Sequence, residues 1–329
     1  MLQYIIRRIL YIIPTLLVVS LISFVVIELP PGDFLTSMIA QMELQGESID
    51  QTEVENLKIR YGLDLPIYAR FLKWLWGVLR GDFGYSLEWN KPVGELIWAR
   101  LGLTFVVSLA TLLFIWMVSL PIGIYSATHQ YSPGDYTATF LGFVGLGFPS
   151  FLVALVFLWI AYSVWGVNLG GLFSDKFVDE PWSWAKFLDM LGHLWLPLIV
   201  LGLGGTAGGI RSMRANLLDE LHRPYVTTAR AKGLTERRLV LKYPVRVALN
   251  PFVSTIGWAL PRLVSGSTII SVVLSLPTTG PLLLKALMAQ DMYLAGSFVL
   301  MLSVLTVIGT LISDILLGML DPRIRYEGI

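Results

Sequence analysis

The side chains that could carry chemistry are few and widely separated along this chain of 329 residues. No two of the three histidines, His129, His193 and His222, have the spacing of a metal-ligand pair. The chain has no cysteine, which excludes a thiolate metal site, a disulfide and a cysteine nucleophile. There is also no G-x-S-x-G elbow and no pair of carboxylates within one predicted site. We therefore predict no catalytic residue and no metal site.

Glycine patterns give no nucleotide site either. The sequence lacks a G-x-x-x-x-G-K-[ST] phosphate loop, which excludes ATP binding by that route. The stretch from Gly202 to Ala207 resembles a dinucleotide fingerprint, but it lies in an apolar helix with no strand before it. Its G-x-x-x-G pairs, 204/208 and 205/209, are typical of membrane helices that approach closely. We expect no cofactor in this chain.

Charged residues within apolar stretches are functional candidates, because a charge inside a membrane is costly. There are three, Glu28, Arg262 and Asp314. Asp314 is about two turns from the end of its stretch, where it could cap, pair or snorkel. Arg262 follows Pro261, which interrupts the backbone ladder, and serines follow it. The candidate residues for lining a polar path are Arg262, Ser265, Ser267 and Ser271.

The composition requires lipid around much of the chain. Hydrophobic residues make up 55% of it and charged residues only 14%, against about 25% charged in soluble domains. Six apolar stretches are long enough to cross a bilayer as helices. They are Ile9–Ile27, Leu103–Ala127, Ala138–Trp165, Leu194–Gly209 and onward, Val247–Leu276 and Ser297–Leu320. We predict an all-α polytopic membrane protein with six spans.

The distribution of charge predicts the orientation of these spans. Residues 211–246 hold nine basic and three acidic residues, which indicates a cytoplasmic segment. Arg7 and Arg8 before the first span and Arg323 and Arg325 after the last place both termini on that side as well. The predicted organisation is a first span at 1–28, an external domain at 29–100, a core at 101–320 and a cytoplasmic C-terminus at 321–329.

Tryptophans are frequent in the predicted external segments. They are Trp74, Trp76, Trp89, Trp98, Trp165, Trp182, Trp184 and Trp195. One interpretation is an aromatic belt at the membrane interface. The other is an aromatic surface for a ligand or a delivery protein, and spacing alone does not separate the two.

The densest basic patch, YVTTARAKGLTERR at residues 225–238, predicts a short amphipathic helix. Pro224 suits a helix start and Gly233 a helix end. Val226, Ala229 and Gly233 fall on one face. A lipid-surface helix would carry bulky residues there, so the small face suggests insertion into a groove of another protein.

This stretch resembles the motif Y-V-x-T-A-R-A-K-G-L-x-E-R-R of B-type permease subunits in the dipeptide and oligopeptide branch of ABC importers. The start MLQYIIRRIL and the segments at 61–87, 260–270 and 316–326 are similar to that family too, in the same order. The chain departs from the broader importer motif E-A-A-x-x-x-G, because Thr227 and Thr228 replace Glu and Ala. It matches that motif only at Ala229 and Gly233.

The resemblance implies the type I importer permease fold in a bacterial or archaeal inner membrane, and no enzymatic activity in this chain. It implies a second homologous permease, an external binding protein and two cytoplasmic ATPases, which bind ATP and magnesium. It also implies a coupling helix that docks on an ATPase. The residues assigned to it are Arg223, Tyr225, Thr227, Ala229, Arg230, Ala231, Lys232 and Gly233.

The ligand and two other functional classes stay open from the sequence. Ser271, Leu274 and Thr278 replace the glutamate, phenylalanine and glycine that the peptide branch typically has after the fifth span. The resemblance implies an oligopeptide cargo, and it leaves an oligosaccharide open because relatives of these importers look to carry oligosaccharides. An ion-coupled secondary transporter would instead use Asp314 or Glu28. A scaffold that binds nucleic acid or lipid through its basic loop would show steep salt dependence.

Overall fold

The protein is described by a computed structural model over residues 2–28, 65–86, 88–256 and 267–320, together with residues 259, 262 and 264. Several predictions fall outside these residues. They concern residues 29–64 and 87 of the external domain, the C-terminus after residue 320, Pro261 and the path candidate Ser265.

Helices dominate the described chain. In chain order the elements are α1 (Leu2–Glu28), α2 (Ile67–Leu79), β1 (Tyr85–Ser86), β2 (Lys91–Pro92), α3 (Val93–Thr128), α4 (Pro133–Gly147), α5 (Ser150–Trp165), α6 (Trp184–Leu221), α7 (Pro224–Ala231), α8 (Glu236–Lys242), α9 (Pro244–Ala248), α10 (Asn250–Ser254), α11 (Thr268–Val273), α12 (Thr279–Met288) and α13 (Met292–Leu320), with one 3₁₀ turn at Asp175–Phe177. The two strands pair antiparallel.

The chain divides into two compact units, Met1–Leu103 with Thr278–Val307, and Thr104–Pro277 with Ile308–Ile329. In the first unit, the buried Asp291 connects the hairpin to α13. Its carboxylate accepts hydrogen bonds from the Ser86 hydroxyl at 2.5 Å and from the Leu294 N–H at 3.2 Å. The second of these bonds is a helix cap, because Asp291 immediately precedes α13.

In the second unit, glycines let α6 lie close to α3. A Cβ on Gly205 would come within 2.6 Å of Ile115 Cδ1, and one on Gly209 within 2.6 Å of Ser119 Oγ. The predicted 205/209 pair therefore does pack against a neighbouring helix, as expected for close helix contacts in membranes. Gly204 and Gly208 have no atom within 4 Å of such a Cβ.

The described residues contain three helices long and apolar enough to cross a membrane, or four if α4 and α5 are one span. The three are α3, α6 and residues Tyr293–Ile315 of α13. The predicted third span, Ala138–Trp165, is not one straight helix, because α4 and α5 are bent by 96° relative to each other. Phe148 is extended at the break, as favoured before a proline, and Pro149 has no N–H to continue the ladder.

The predicted fifth span is also interrupted in the part that the structure describes. Short helices α10 and α11 take its place, and α9 overlaps its start. Prolines stand at the first turns of α9 and α10, where a missing N–H costs no helical hydrogen bond.

Candidate protein-docking site

The helix predicted in the basic patch is present as α7. Arg223 is extended at its N-cap and Pro224 occupies the first turn. Gly233 has φ +81°, the left-handed conformation in which helices commonly end on glycine. The sequence therefore predicted correctly where this helix begins and ends.

The face of α7 that carries Val226 and Ala229 is covered by the chain itself. Val226 is 0% exposed and Ala229 9% exposed. Both belong to a core, here called the α7 cluster, whose buried members are Ala127, Met213, Leu217, Val226, Ala229, Leu239, Val240, Val245, Ala248 and Phe252. The prediction that this face enters a partner's groove is therefore wrong for Val226 and Ala229, whereas Gly233, the third predicted member of the face, is exposed. Val226 and Ala229 share this core with residues of α6 and α8.

The opposite face of α7 is exposed and consists of small residues too. Thr227, Thr228 and Ala231 point away from the cluster, as their angular positions require. The Thr228 hydroxyl donates to the Pro224 carbonyl at 3.0 Å, so its hydrogen-bond donor is satisfied within the helix. A shallow surface results, and it is this face that a groove on another protein could receive.

Polar contacts brace the two ends of α7. Arg230 forms an ion pair with Glu236 at the start of α8, with a second contact of 3.1 Å from its terminal nitrogen to Oε2. The hydrogen bond from Arg230 holds the pKa of the Glu236 carboxyl below its ordinary value. Tyr225 donates to Glu220 Oε2 at 2.6 Å, and burial, followed by this bond, raises the pKa of its phenol.

Exposed cations flank α7 in the sequence. Arg223, Lys232, Arg237 and Arg238 are all exposed, and Arg223 lies 3.6 Å from Glu220. Three of the predicted docking residues, Arg223, Tyr225 and Arg230, are thus engaged with acids of this chain. Glu220 and Glu236 were not predicted as their partners, although both stand within six positions of them.

A further ion pair near this segment was also missed. Arg214 of α6 donates to both carboxylate oxygens of Asp135, at 2.9 and 2.8 Å. Asp135 is buried and also accepts from the Tyr131 N–H at 3.0 Å. The pair joins the 129–136 loop, which has no lysine or arginine, to the basic segment 211–246. The only sequence signal is the S-P-x-D helix start at Ser132.

The path candidates have different environments. Arg262 is exposed, whereas Ser267 and Ser271 are buried within the chain. The Ser267 hydroxyl donates to the Val264 carbonyl at 3.0 Å, and the Ser271 hydroxyl has no hydrogen-bond partner among the described residues. The structure therefore does not bring these candidates together on an open surface.

An apolar cavity of about 710 Å³ lies between α3, α4 and α6. Its lining contains no charged residue, and Tyr125, Thr137 and Thr206 supply its few polar atoms. A peptide or sugar ligand would find few hydrogen-bond partners there. None of the residues that line the cavity belongs to α7.

Comparison with known proteins covers almost the whole chain. Residues 119–326 match the family described as binding-protein-dependent transport system inner membrane component, and residues 1–110 match the N-terminal family of the same systems. The oligopeptide transport system permease protein AppB of Bacillus subtilis is 37% identical over 327 residues, covering 99% of this chain and all of the relative. The dipeptide transport system permease protein DppB of Escherichia coli is 31% identical over 99% of this chain and all of its own length. The peptidoglycan transport system permease protein YejB of Agrobacterium fabrum is 30% identical over 98% of both chains.

Proposed function

The chain belongs to the family of binding-protein-dependent transport system inner membrane components. On that premise we propose how it couples to ATPase subunits and which ligand it transports. It is a multi-pass permease subunit of an ABC importer. Nothing in the comparisons supports the ion-coupled alternative. The observation that carries the proposal is the exposed, small-residue face of α7 in a chain with no phosphate loop of its own.

In this proposal, α7 is the coupling helix and docks in a groove of a cytoplasmic ATPase. Thr227, Thr228 and Ala231 enter the groove, because they are the exposed small residues at its centre. Lys232 stands at the rim. Ala229 and Gly233 contribute indirectly, the first by packing α7 on the chain and the second by ending the helix. ATP and magnesium are bound by the partner ATPases, and this chain needs no cofactor.

The α7 cluster supports a mechanical role for the helix. Val226 and Ala229 pack with Leu217 of α6 and Leu239 of α8, so α7 is held by tightly packed apolar contacts. A displacement of α7 by an ATPase would be carried into α6, which is 38 residues long. Arg214 would carry it further into α4 through Asp135.

The full assembly in this proposal contains a second homologous permease, two ATPases and an external binding protein. Six spans with both termini in the cytoplasm complete the topology. The long helices of the described chain, together with α1 and the interrupted α9–α11 region, are compatible with this number. The same family membership supports the type I permease fold and the inner-membrane location in this proposal.

The cargo proposed for this chain is an oligopeptide or an oligosaccharide. The relatives are named for oligopeptide, dipeptide and peptidoglycan transport, which favours peptide-containing ligands. The Ser271, Leu274 and Thr278 replacements leave room for a glycan cargo. Thermal shifts of the cognate binding protein with peptides and with oligosaccharides decide between them.

The docking face can be tested by making it bulky. We expect Ala231→Trp to abolish co-purification with the ATPases and ATP-driven uptake, because an indole cannot fit where a methyl group enters a groove. Leu241→Trp on α8 is the matched control, since Leu241 is already an exposed large side chain. Both variants must elute as folded protein. If Ala231→Trp bound the ATPases as well as the control does, α7 would not be part of the interface.

A further inference from the structure

Helix α2 packs on the first unit through one aromatic face. Trp74 is 4% exposed, and its indole N–H donates to Ser297 Oγ at 3.2 Å. The ring of Phe24 lies 5.4 Å from that of Phe71 and 5.9 Å from that of Trp74. These contacts fix the rotation of α2 about its axis and so determine which residues face away from the protein.

A second apolar face of α2 is left exposed. Tyr68, Leu72, Trp76 and Leu79 follow the spacing of a single helical stripe, and all four are exposed, Trp76 by 58% and Leu79 by 72%. None of them takes part in the aromatic core around Trp74. In water this stripe would be an unfavourable apolar patch, and such a patch marks a surface that something covers.

Cations border this stripe on the side away from the protein core. Lys73 and Arg80 lie along that edge, and both are exposed. The helix itself contains Arg70 and Lys73 and no acidic residue. The Arg80 guanidinium stands 4.6 Å from the centre of the Trp76 ring. A helix with this order of faces, apolar and then cationic, suits the boundary between acyl chains and anionic headgroups.

The contacts of α2 place it at the depth of that boundary. Phe24 stands four residues before the end of α1, about 6 Å along the helix axis. Ser297 stands five residues after the start of α13, about 8 Å along its axis. Tyr293–Ile315 of α13 is one of the candidate membrane spans, so α2 packs where a span ends and lipid headgroups begin.

We propose that α2 is an interfacial anchor that lies flat in the leaflet where α1 ends. Leu72 and Trp76 enter the acyl region, about 5–10 Å below the headgroups, and Lys73 and Arg80 contact lipid phosphates. The occupant of the exposed stripe is therefore phospholipid. A docking surface for the external binding protein is the competing interpretation, and the cationic edge and the depth of Trp74 favour lipid over it.

The absence of native cysteine allows a direct test. Leu72→Cys and, as its matched control, Lys73→Cys are labelled with an environment-sensitive fluorophore in the intact importer. The importer is reconstituted in nanodiscs of phosphatidylethanolamine and phosphatidylglycerol. Quenching is then measured with doxyl-labelled lipid and with aqueous iodide. Tyr68→Cys replaces Leu72→Cys if the latter fails to fold.

We expect doxyl lipid to quench the label at position 72 several-fold more than the label at position 73, and iodide to show the reverse order. Equal quenching at both positions would overturn the proposal. So would a position-72 label that iodide reaches in nanodiscs and that added binding protein then protects, because that outcome assigns the stripe to the binding protein. The readout needs no transport, so it is independent of the coupling assignment for α7.

Discussion

At the scale of single residues, Asp135 connects two segments that the sequence keeps far apart. Its carboxylate accepts two hydrogen bonds from Arg214 and one from the Tyr131 backbone. Asp135 is buried, whereas the Arg214 side chain is 29% exposed. Loss of Arg214 would leave a buried carboxylate without its counter-charge, and that is a costly arrangement.

We expect Arg214→Ala to destabilise the protein by about 3 kcal/mol, the lower end of the range for breaking a buried ion pair, because Arg214 is partly exposed. Arg211→Ala is the control, since the Arg211 guanidinium stacks on Phe143 at 5.0 Å and is exposed. Its loss should cost about 1 kcal/mol or less. Thermal unfolding in detergent measures the stability of both variants. Equal losses of stability would show that the Asp135–Arg214 pair does not stabilise the protein.

Helical spacing predicted that Val226 and Ala229 share a face, and that prediction is confirmed. The same spacing could not tell whether this face meets a partner or the chain's own core. That choice depends on Leu217 and Leu239, which come from other helices and contribute through tertiary packing. The ion pairs of Arg230 and Arg214 were not predicted either, because Glu236 lies on the next helix and Asp135 is 79 positions from Arg214. Neither pair therefore follows the spacing of contacts within one helix.

Substitutions of Gly233 distinguish the effect of backbone strain on stability from the effect of a lost contact with the ATPase. Its φ is +81°, and a Cβ placed there would meet no atom within 4 Å. We expect Gly233→Ala to cost about 1–2 kcal/mol in stability through backbone strain alone, and Gly233→Asn to cost less, since asparagine tolerates this conformation better. The measurements are the unfolding midpoint and co-purification with the ATPases. Loss of ATPase binding by a stably folded Gly233→Asn would assign Gly233 to the contact itself.

At the scale of elements, the main departure from the sequence prediction is the break between α4 and α5. Apolar composition predicted one span from Ala138 to Trp165. Hydropathy measures how apolar a stretch is, but it does not show whether the helix axis changes direction within that stretch. Pro149 is the signal of a break, but a proline within an apolar run also occurs in continuous helices. Pro121 stands inside the uninterrupted α3, and Pro197 inside α6.

The bend is measurable as a distance between spin labels at Tyr136 and Tyr162, both exposed. A straight helix would separate them by about 39 Å, whereas two arms bent by 96° bring them to about 25 Å. Cysteine substitutions at both positions and pulsed electron resonance on the assembled importer provide this distance. A control pair at Trp184 and Asp219 should report the length of α6, about 52 Å. A Tyr136–Tyr162 distance near that of the straight helix would contradict the break.

At the scale of the whole molecule, composition alone identified a membrane protein, and the family match confirms this class. The spans α3 and α6 were predicted close to their observed centres. The Gly-rich stretch at 202–209 was predicted as part of a span and lies within α6. The fifth span was predicted as one stretch, Val247–Leu276, but its described part is divided into short helices, and Pro251 in the first turn of α10 is the local signal of that division.

The arrangement of loops about the membrane gives the broadest prediction. The Asp135–Arg214 pair holds the 129–136 loop beside the basic segment, so these two must lie on one side. We therefore expect single cysteines at Tyr131 and Lys232 to react with a membrane-impermeant maleimide only in inside-out vesicles. A cysteine at Val178, exposed in the loop between α5 and α6, should react only in spheroplasts. Labelling of positions 131 and 232 from opposite sides would be incompatible with the ion pair. Labelling of both from outside would instead reverse the orientation that the nine basic residues of the 211–246 segment predict.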